Sequence, residues 1–183
     1  MIPCYVSGKG MHATETTRDF KVVVIQALKD SGLGFDTRYR FYRDWFPRMD
    51  PAALARMICD PVEDYDPDWK PYLERHAAGR DEGEVLAKFI LERDGLFRAE
   101  ARAAIYCYDE AGFGSGVNSM RFIRDEKPIL GFYQPGSVKT GVNPTNFIQL
   151  QSEHPERVTL VKYRSLDEIP DAVNAWLREM SAA

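Results

Sequence analysis

Apolar positions change period several times along the chain. Ile2 to Val6 (IPCYV) is a short continuous apolar run that ends in Ser7-Gly8-Lys9-Gly10, the pattern of a buried strand feeding a loop. Phe20, Val23, Val24, Ala27 and Leu28 then recur at helical spacing, with Thr14, Thr16 and Thr17 available as N-caps and Gly32 as a C-cap. The β-branched run Val22 to Ile25 is poor helix material locally, but the amphipathic spacing decides for a helix. Strand, glycine-containing loop and helix make half of a βαβ unit. Leu33 to Phe35 predicts a brief second strand, and Asp50-Pro51 marks a helix start. The Pro- and Asp-punctuated run Asp60 to Pro71 reads as a loop. Residues 36–80 therefore form a long excursion: a lid, a partner surface, or a solvated connection pinned by Trp45, Tyr65 and Trp69.

Helical periodicity returns over Glu82 to Asp94, with Val85, Leu86, Phe89 and Ile90 on one face. Ala103 to Tyr108 reads as a buried strand, Asp109 to Gly116 as a glycine loop, and Val117 to Glu126 as a helix ended by Lys127-Pro128. Ile129 to Tyr133 is the next strand. After a polar loop and a short helix near Phe147 comes the last strand, Arg157 to Tyr163. Ser165 to Glu168 is a capping box opening a helix through Trp176 and Leu177, with Pro170 in its first turn. This alternation predicts one α/β domain over residues 1–183. The fold class is a flavodoxin/Rossmann-like doubly wound parallel sheet of four to five strands, helices on both faces, with an insert around 36–80. In such folds ligands bind outside the carboxyl ends of the strands, at the topological switch point. Ser7 to His12 and Asp109 to Gly116 leave strand ends, and they lie side by side if the first and third strands are neighbours.

Composition removes several alternatives. A net charge of −4 argues against a nucleic-acid binder, and no apolar run approaches the ~20 residues that span a bilayer. The N-terminus lacks the basic and long apolar regions of a signal peptide. Cys4, Cys59 and Cys107 are widely spaced and form no CxxC pair, so a reduced, cytoplasmic protein is expected. His12, His76 and His154 are equally scattered, so neither metal nor cofactor is expected.

Gly114-Ser115-Gly116 before a helix would present backbone N–H groups at a positive helix terminus, which suits a phosphate. It is not a Walker A loop, because no GK[ST] follows, and not a GxGxxG fingerprint, because Met120 stands where the third small residue belongs. Ser7, Gly8, Lys9 and Gly10 add a hydroxyl, a cation and open backbone.

Taken in order, these pieces resemble the nucleoside 2-deoxyribosyltransferase-like proteins. They are a small-residue loop after the first strand, Asp94 late in a central helix, an apolar strand, GSGVN, a helix, Lys127-Pro128-Ile129-Leu130 and a final strand-helix pair. The likeness is to the deoxynucleotide N-glycosidase branch, where a G-x-G-x-E loop opens the helix. It extends over Asp94 to Tyr133 and through the C-terminal helix, is loose at the N-terminus and is absent for 36–80. The resemblance implies cleavage or transfer at the base–sugar bond of a nucleoside or nucleotide through a covalent sugar ester. It also implies a homo-oligomer, a dimer or larger, in which neighbouring subunits complete each site. The nucleophile's position in that loop is occupied here by Asn118, and Arg102 stands where a second family aspartate is expected. An amide is not a nucleophile, so the chemistry must differ from the family's.

Three readings follow. In the first, Asp94, Asp109 or Glu110 is a base for direct attack by water, with Asn118 gripping a sugar hydroxyl and Ser7, Gly8, Lys9, Gly10, Gly114, Ser115 and Gly116 binding substrate. In the second, the pocket is a catalytically silent nucleotide-binding module, with the arginine- and aromatic-rich segment Arg38 to Arg48 stacking on a base or forming a partner contact. In the third, the chain is a flavodoxin-like scaffold or regulatory protein unrelated to nucleosides.

Overall fold

The structure is a computed structural model that describes residues 1–9, 13–134 and 145–182, except for the side chain of Thr145. Five short strands, β1 (Ile2–Ser7), β2 (Gly34–Asp36), β3 (Ala103–Cys107), β4 (Ile129–Tyr133) and β5 (Val158–Lys162), form one all-parallel sheet in the order β2-β1-β3-β4-β5. Cys4 to Ser7 pair with Ala103 to Tyr106, and Ala104 to Cys107 with Ile129 to Phe132. The chain winds outward from β1 to β2, then returns to build β3 on the other side. Beyond the carboxyl ends of β1 and β3 the connections part in opposite directions and leave a crevice.

Helices cover both faces, and for that reason the central strands β3 and β4 are apolar along their length. On one face α1 (Glu15–Ser31) sets Phe20 edge-on to Phe132 of β4 at 5.5 Å between ring centroids. It also packs along α9 (Ile169–Ala182). The β-branched run in α1 is accommodated because Val24 and Ile25 are buried, a packing gain that outweighs their local propensity. The helix ends as its glycine predicts: Gly32 has φ 65° and donates its N–H to the Lys29 carbonyl at 3.2 Å. On the opposite face Phe122 of α7 (Phe113–Arg124) packs on Tyr5 at 5.9 Å and on Tyr106 at 6.5 Å. A short α8 (Thr145–Glu153) follows β4, and a 3₁₀ turn over Leu166–Glu168, capped by Ser165, leads into α9.

The excursion over 36–80 is largely helical: the helix start expected at Asp50-Pro51 is present, and Asp60 to Pro71, where a loop was expected, carries short helices. It contains α2 (Thr37–Trp45), α3 (Pro51–Met57), α4 (Val62–Tyr65) and α5 (Trp69–His76). Pro61, Asp66 and Asp68, which suggested a loop, stand at helix boundaries, and Asp50 is the helix cap that the sequence predicts. Asp50 accepts from Ala52 and Ala53 N–H at 3.0 and 3.1 Å and caps α3. The short helices hold because Val62, Trp69 and Tyr72 bury against Val85 and Phe89 of α6 (Glu82–Glu100) in a second small core. Arg93 of α6 fastens this layer. Its guanidinium spans both Asp66 oxygens at 3.0 and 2.9 Å, reaches Asp68 at 2.5 Å, and lies over the Phe41 and Phe89 rings. Helix α6 runs six residues past the predicted end at Asp94, so Asp94 and Gly95 sit inside it.

At one point the sheet requires a glycine. A Cβ on Gly131 would stand 2.3 Å from Tyr108 Cε2 and 2.7 Å from Leu160 Cδ2. The Tyr108 ring is itself clamped, stacked on Tyr106 at 5.3 Å and on Phe147 at 3.7 Å, so it has nowhere to retreat. Gly131→Ala is expected to destabilise the protein by about 1–3 kcal/mol, the usual effect of overpacking. Part of that loss should disappear in a Tyr108→Leu background. Urea denaturation of the two single variants and the double variant measures both quantities; equal penalties in the two backgrounds would remove the Tyr108 clash as the cause.

Candidate functional site

A cleft of about 450 Å³ opens where the strand order reverses. Ser7, Gly8 and Lys9 line it from the end of β1, Gly112, Gly114, Ser115 and Asn118 from α7, and Asp94 from α6. The two loops come together because β1 and β3 are direct neighbours. Gly8 makes the approach close: a Cβ there would meet Cys107 Cβ at 3.1 Å and the Cys107 carbonyl oxygen at 3.3 Å. Gly10 and His12 lie outside the described residues.

The glycine stretch is the first turn of α7, which begins at Phe113 rather than near Val117. Gly112 is its N-cap, and no side chain caps it. Ser115 and Gly116 both donate to the Gly112 carbonyl, at 3.1 and 3.3 Å. The earlier N–H groups of the turn belong to the set that an α-helix leaves without an intrahelical partner. They give this end of the cleft a positive character. Gly116 turns away and lines a wider groove of about 920 Å³ with Phe113, Val117, Met120 and Phe147. That groove is lined mainly by apolar side chains and holds no carboxylate. The smaller cleft gathers the polar residues, so it is the candidate site.

The four catalytic candidates separate. Asp94 and Asn118 line the cleft. The Asp94 side chain is 29% exposed, and Asp94 Oδ2 lies 3.9 Å from Arg98 Nη1. Asn118 Oδ1 lies 3.4 Å from Arg121 Nη1. Asp109 and Glu110 do not line it. Asp109 is buried, accepting from the Tyr163 hydroxyl at 2.5 Å and from Gln134 N–H at 2.6 Å, and so ties β3 to the far strands. Glu110 accepts from Thr17 Oγ1 at 2.6 Å and from Thr14 N–H at 3.1 Å, bracing the start of α1.

The insert supplies a wall opposite Tyr5: Arg38 and Tyr42, from the segment considered for stacking on a base, together with Ile58, Asp60 and Tyr65, which sequence did not assign to the site. Arg38 is buried, donates to the Val6 carbonyl, stands 5.1 Å over the Tyr5 ring, and keeps a buried Nε with no partner among the described residues. The density of arginines and aromatics between Arg38 and Arg48 was the available signal. It pointed to stacking, but nothing in it selected Arg38. Asp60 is held by Arg18 at 2.5 Å. Behind Lys9, the buried Lys21 donates Nζ to the Lys9 carbonyl at 2.9 Å, and burial lowers its pKa. Burial raises the Asp36 carboxyl, and the neighbouring Arg38 only partly offsets this.

No group of three histidine, cysteine, aspartate or glutamate side chains among the described residues is placed to hold a metal ion. The three cysteines are buried and free. No helix among the described residues is long and apolar enough to cross a membrane. Fold and site together define a doubly wound α/β protein with a polar, arginine-bearing cleft at its switch point. No protein-family model matches the chain, and no curated protein is similar to it.

The position of Glu110 sets a pH dependence. Partial burial raises its carboxyl, but the hydrogen bonds from Thr17 and Thr14 and the Lys9 charge outweigh this and leave its pKa below the ordinary value. A carboxyl depressed in the folded state stabilises the fold above its unfolded pKa, about 4.3, and loses that effect as pH falls through the folded value. Glu110→Gln is therefore expected to lower Tm at pH 7 by roughly 2–4 °C, the shift that about 1 kcal/mol produces at this chain length. The gap to wild type should hold down to about pH 5 and close as the pH falls further. Thermal melts across that range check it; a gap that stays constant with pH would mean that charge is not responsible.

Proposed function

We propose that this protein processes nucleosides or nucleotides at the base–sugar bond, as a hydrolase or transferase of the deoxyribosyltransferase or N-glycosidase type with altered catalytic residues. The observation that carries the reading is the convergence of Ser7, Gly8, Lys9, Asp94, Gly114, Ser115 and Asn118 around one cleft. These residues come from separate segments of the sequence. Tyr65, half-buried on the insert wall, offers a ring to a base, and Lys9 with the α7 terminus offers charge for a phosphate.

In this reading Asp94 is the base, the one of the three candidate carboxylates that reaches the cleft. It takes a proton from water as the water oxygen bonds to the anomeric carbon. The bond from sugar to base breaks, and its electron pair leaves with the base nitrogen. Asn118 offers an amide to a sugar hydroxyl. Binding without turnover is the second reading, favoured by the same Asn118, because a neutral amide stands where the resembling family carries its nucleophile.

Base release from a panel of nucleosides and 5'-nucleotides, followed by chromatography, separates the readings. Turnover by wild type should fall about 10²-fold or more in Asp94→Asn, the span expected for loss of a general base. It should fall by about tenfold in Asn118→Ala, the effect of one lost hydrogen bond. Silence in wild type with activity in Asn118→Glu selects the binding module. Silence in both, with no saturable nucleotide binding, would defeat both readings.

The resemblance also implies a dimer. The apolar groove beside α7 supports one, since Phe113 is 90% exposed and Met120 is half exposed along its rim. Sedimentation velocity should show a dimer for wild type and a monomer for Phe113→Asp; a monomeric wild type would remove this part of the proposal.

A further inference from the structure

One turn further along the two helices that carry Asp94 and Asn118, the surface opens a second recess of about 220 Å³. Its lining carries Arg98, Arg121, Arg124 and Lys127 against one acid, Asp125, in a chain of net charge −4. Four cations around so small a volume repel one another unless each has an anionic partner. Two of them are accounted for. Arg124 has Asp125 at 3.1 Å, and Lys127 gives its ammonium to the Arg98 and Ala99 carbonyls at 2.9 and 3.5 Å, near the negative end of α6.

The other two are not. The Arg98 side chain is only 13% exposed, yet among the described residues its one ionic contact is Asp94 at 3.9 Å, beyond hydrogen-bond reach. Arg121 reaches Asn118 Oδ1 at 3.4 Å, a long contact to a neutral amide. A sheltered guanidinium with five donors and no close anion is poorly satisfied. Arg98, Arg121 and Arg124 all fall in the last turns of α6 and α7, where the helix dipole favours a cation; that places the charges but supplies no close anion for Arg98 or Arg121.

We propose that this recess between α6 and α7 is a binding site for a small multivalent phosphate, with Arg98 and Arg121 as its principal ligands, and that its occupancy is coupled to the cleft. The volume lies below the roughly 300–1,000 Å³ of pockets that enclose drug-sized ligands, which fits an inorganic ion or a terminal phosphate group. Two guanidinium forks match phosphate oxygens in a bidentate manner. The coupling follows from what the same arginines touch otherwise. An anion that draws Arg98 and Arg121 toward itself leaves Asp94 without its nearby cation and releases the Asn118 carbonyl. Thermodynamic reciprocity then requires a cleft ligand that engages Asp94 to change anion affinity by the same factor. The anion site stands independently of the activity proposed above; only the coupling rests on the cleft being the ligand site.

Titration of the wild-type chain with pyrophosphate, followed by amide NMR at constant ionic strength, tests both parts. Saturable shifts are expected at Gly95, Ala99, Arg124 and Lys127, with the Asn118 carboxamide signals moving in step. Arg121→Gln should raise the Kd at least tenfold and Arg98→Gln/Arg121→Gln further, with spectral dispersion reporting that each variant is folded. Lys29→Ala, exposed at the end of α1 on the opposite face of the sheet, should leave this Kd unchanged. Shifts reproduced by sodium chloride alone, or an unaltered Kd in folded Arg121→Gln, would overturn the site; saturable binding with a stationary Asn118 signal would overturn the coupling. Base release plays no part in the readout, so an inactive wild type leaves this test intact.

Discussion

Where β2 stops, β1 runs on for three more residues, and the edge it leaves behind is closed by one buried carboxylate. Cys4 is opposite Asp36, the last residue of β2, so Val6 has no backbone partner on that side. The Asp36 side chain takes its place, accepting the Val6 N–H at 2.8 Å while its other oxygen caps α2 through Tyr39 N–H at 2.6 Å. A buried backbone donor left unpaired would cost about 1–3 kcal/mol. The carboxylate avoids that loss and fixes where the insert begins. It also fixes Arg38, two residues on, whose guanidinium can reach the Val6 carbonyl only because α2 starts there. The wall of the cleft therefore descends from the end of an edge strand.

The rest of the insert is held by the same kind of device. Arg93 gathers Asp66 and Asp68 from the chain between α4 and α5 and stands over two aromatic rings, and the Tyr42 hydroxyl reaches Asp66 at 2.5 Å. Helices of four to nine residues are not stable alone. Here a small apolar core and a buried arginine give them a single arrangement, so the wall opposite β1 is part of the rigid body rather than a flap.

Much of the scaffold was legible in sequence because it depends on periodicity. The apolar runs at Ile2 to Val6, Ala103 to Tyr108 and Ile129 to Tyr133 are strands, the Phe20 to Leu28 stripe is a helix, and their alternation gives a parallel sheet. The cleft's location followed from that topology. What sequence hid depends on partners distant along the chain. Asp109 and Glu110 look like free loop acids until Tyr163 and Thr17 are seen to hold them. Proline and aspartate between 60 and 71 looked like loop punctuation because the aromatic face that the short helices pack against lies on α6. Glycines at the start of α7 suppressed the helical signal over its first turn.

Those glycines have a further consequence. A Cβ at Gly112, Gly114 or Gly116 would meet nothing within 4 Å, so packing does not demand them. Glycine within a helix lowers its stability by about 0.5–1 kcal/mol relative to alanine. The weakest turn of α7 is therefore the one facing the cleft, while its other end is secured by Phe122 in the core. Rigidity and responsiveness are divided along one helix. Changes that harden the molecule against heat by replacing these glycines would act at the end where a ligand must be admitted, setting thermal robustness against access to the site.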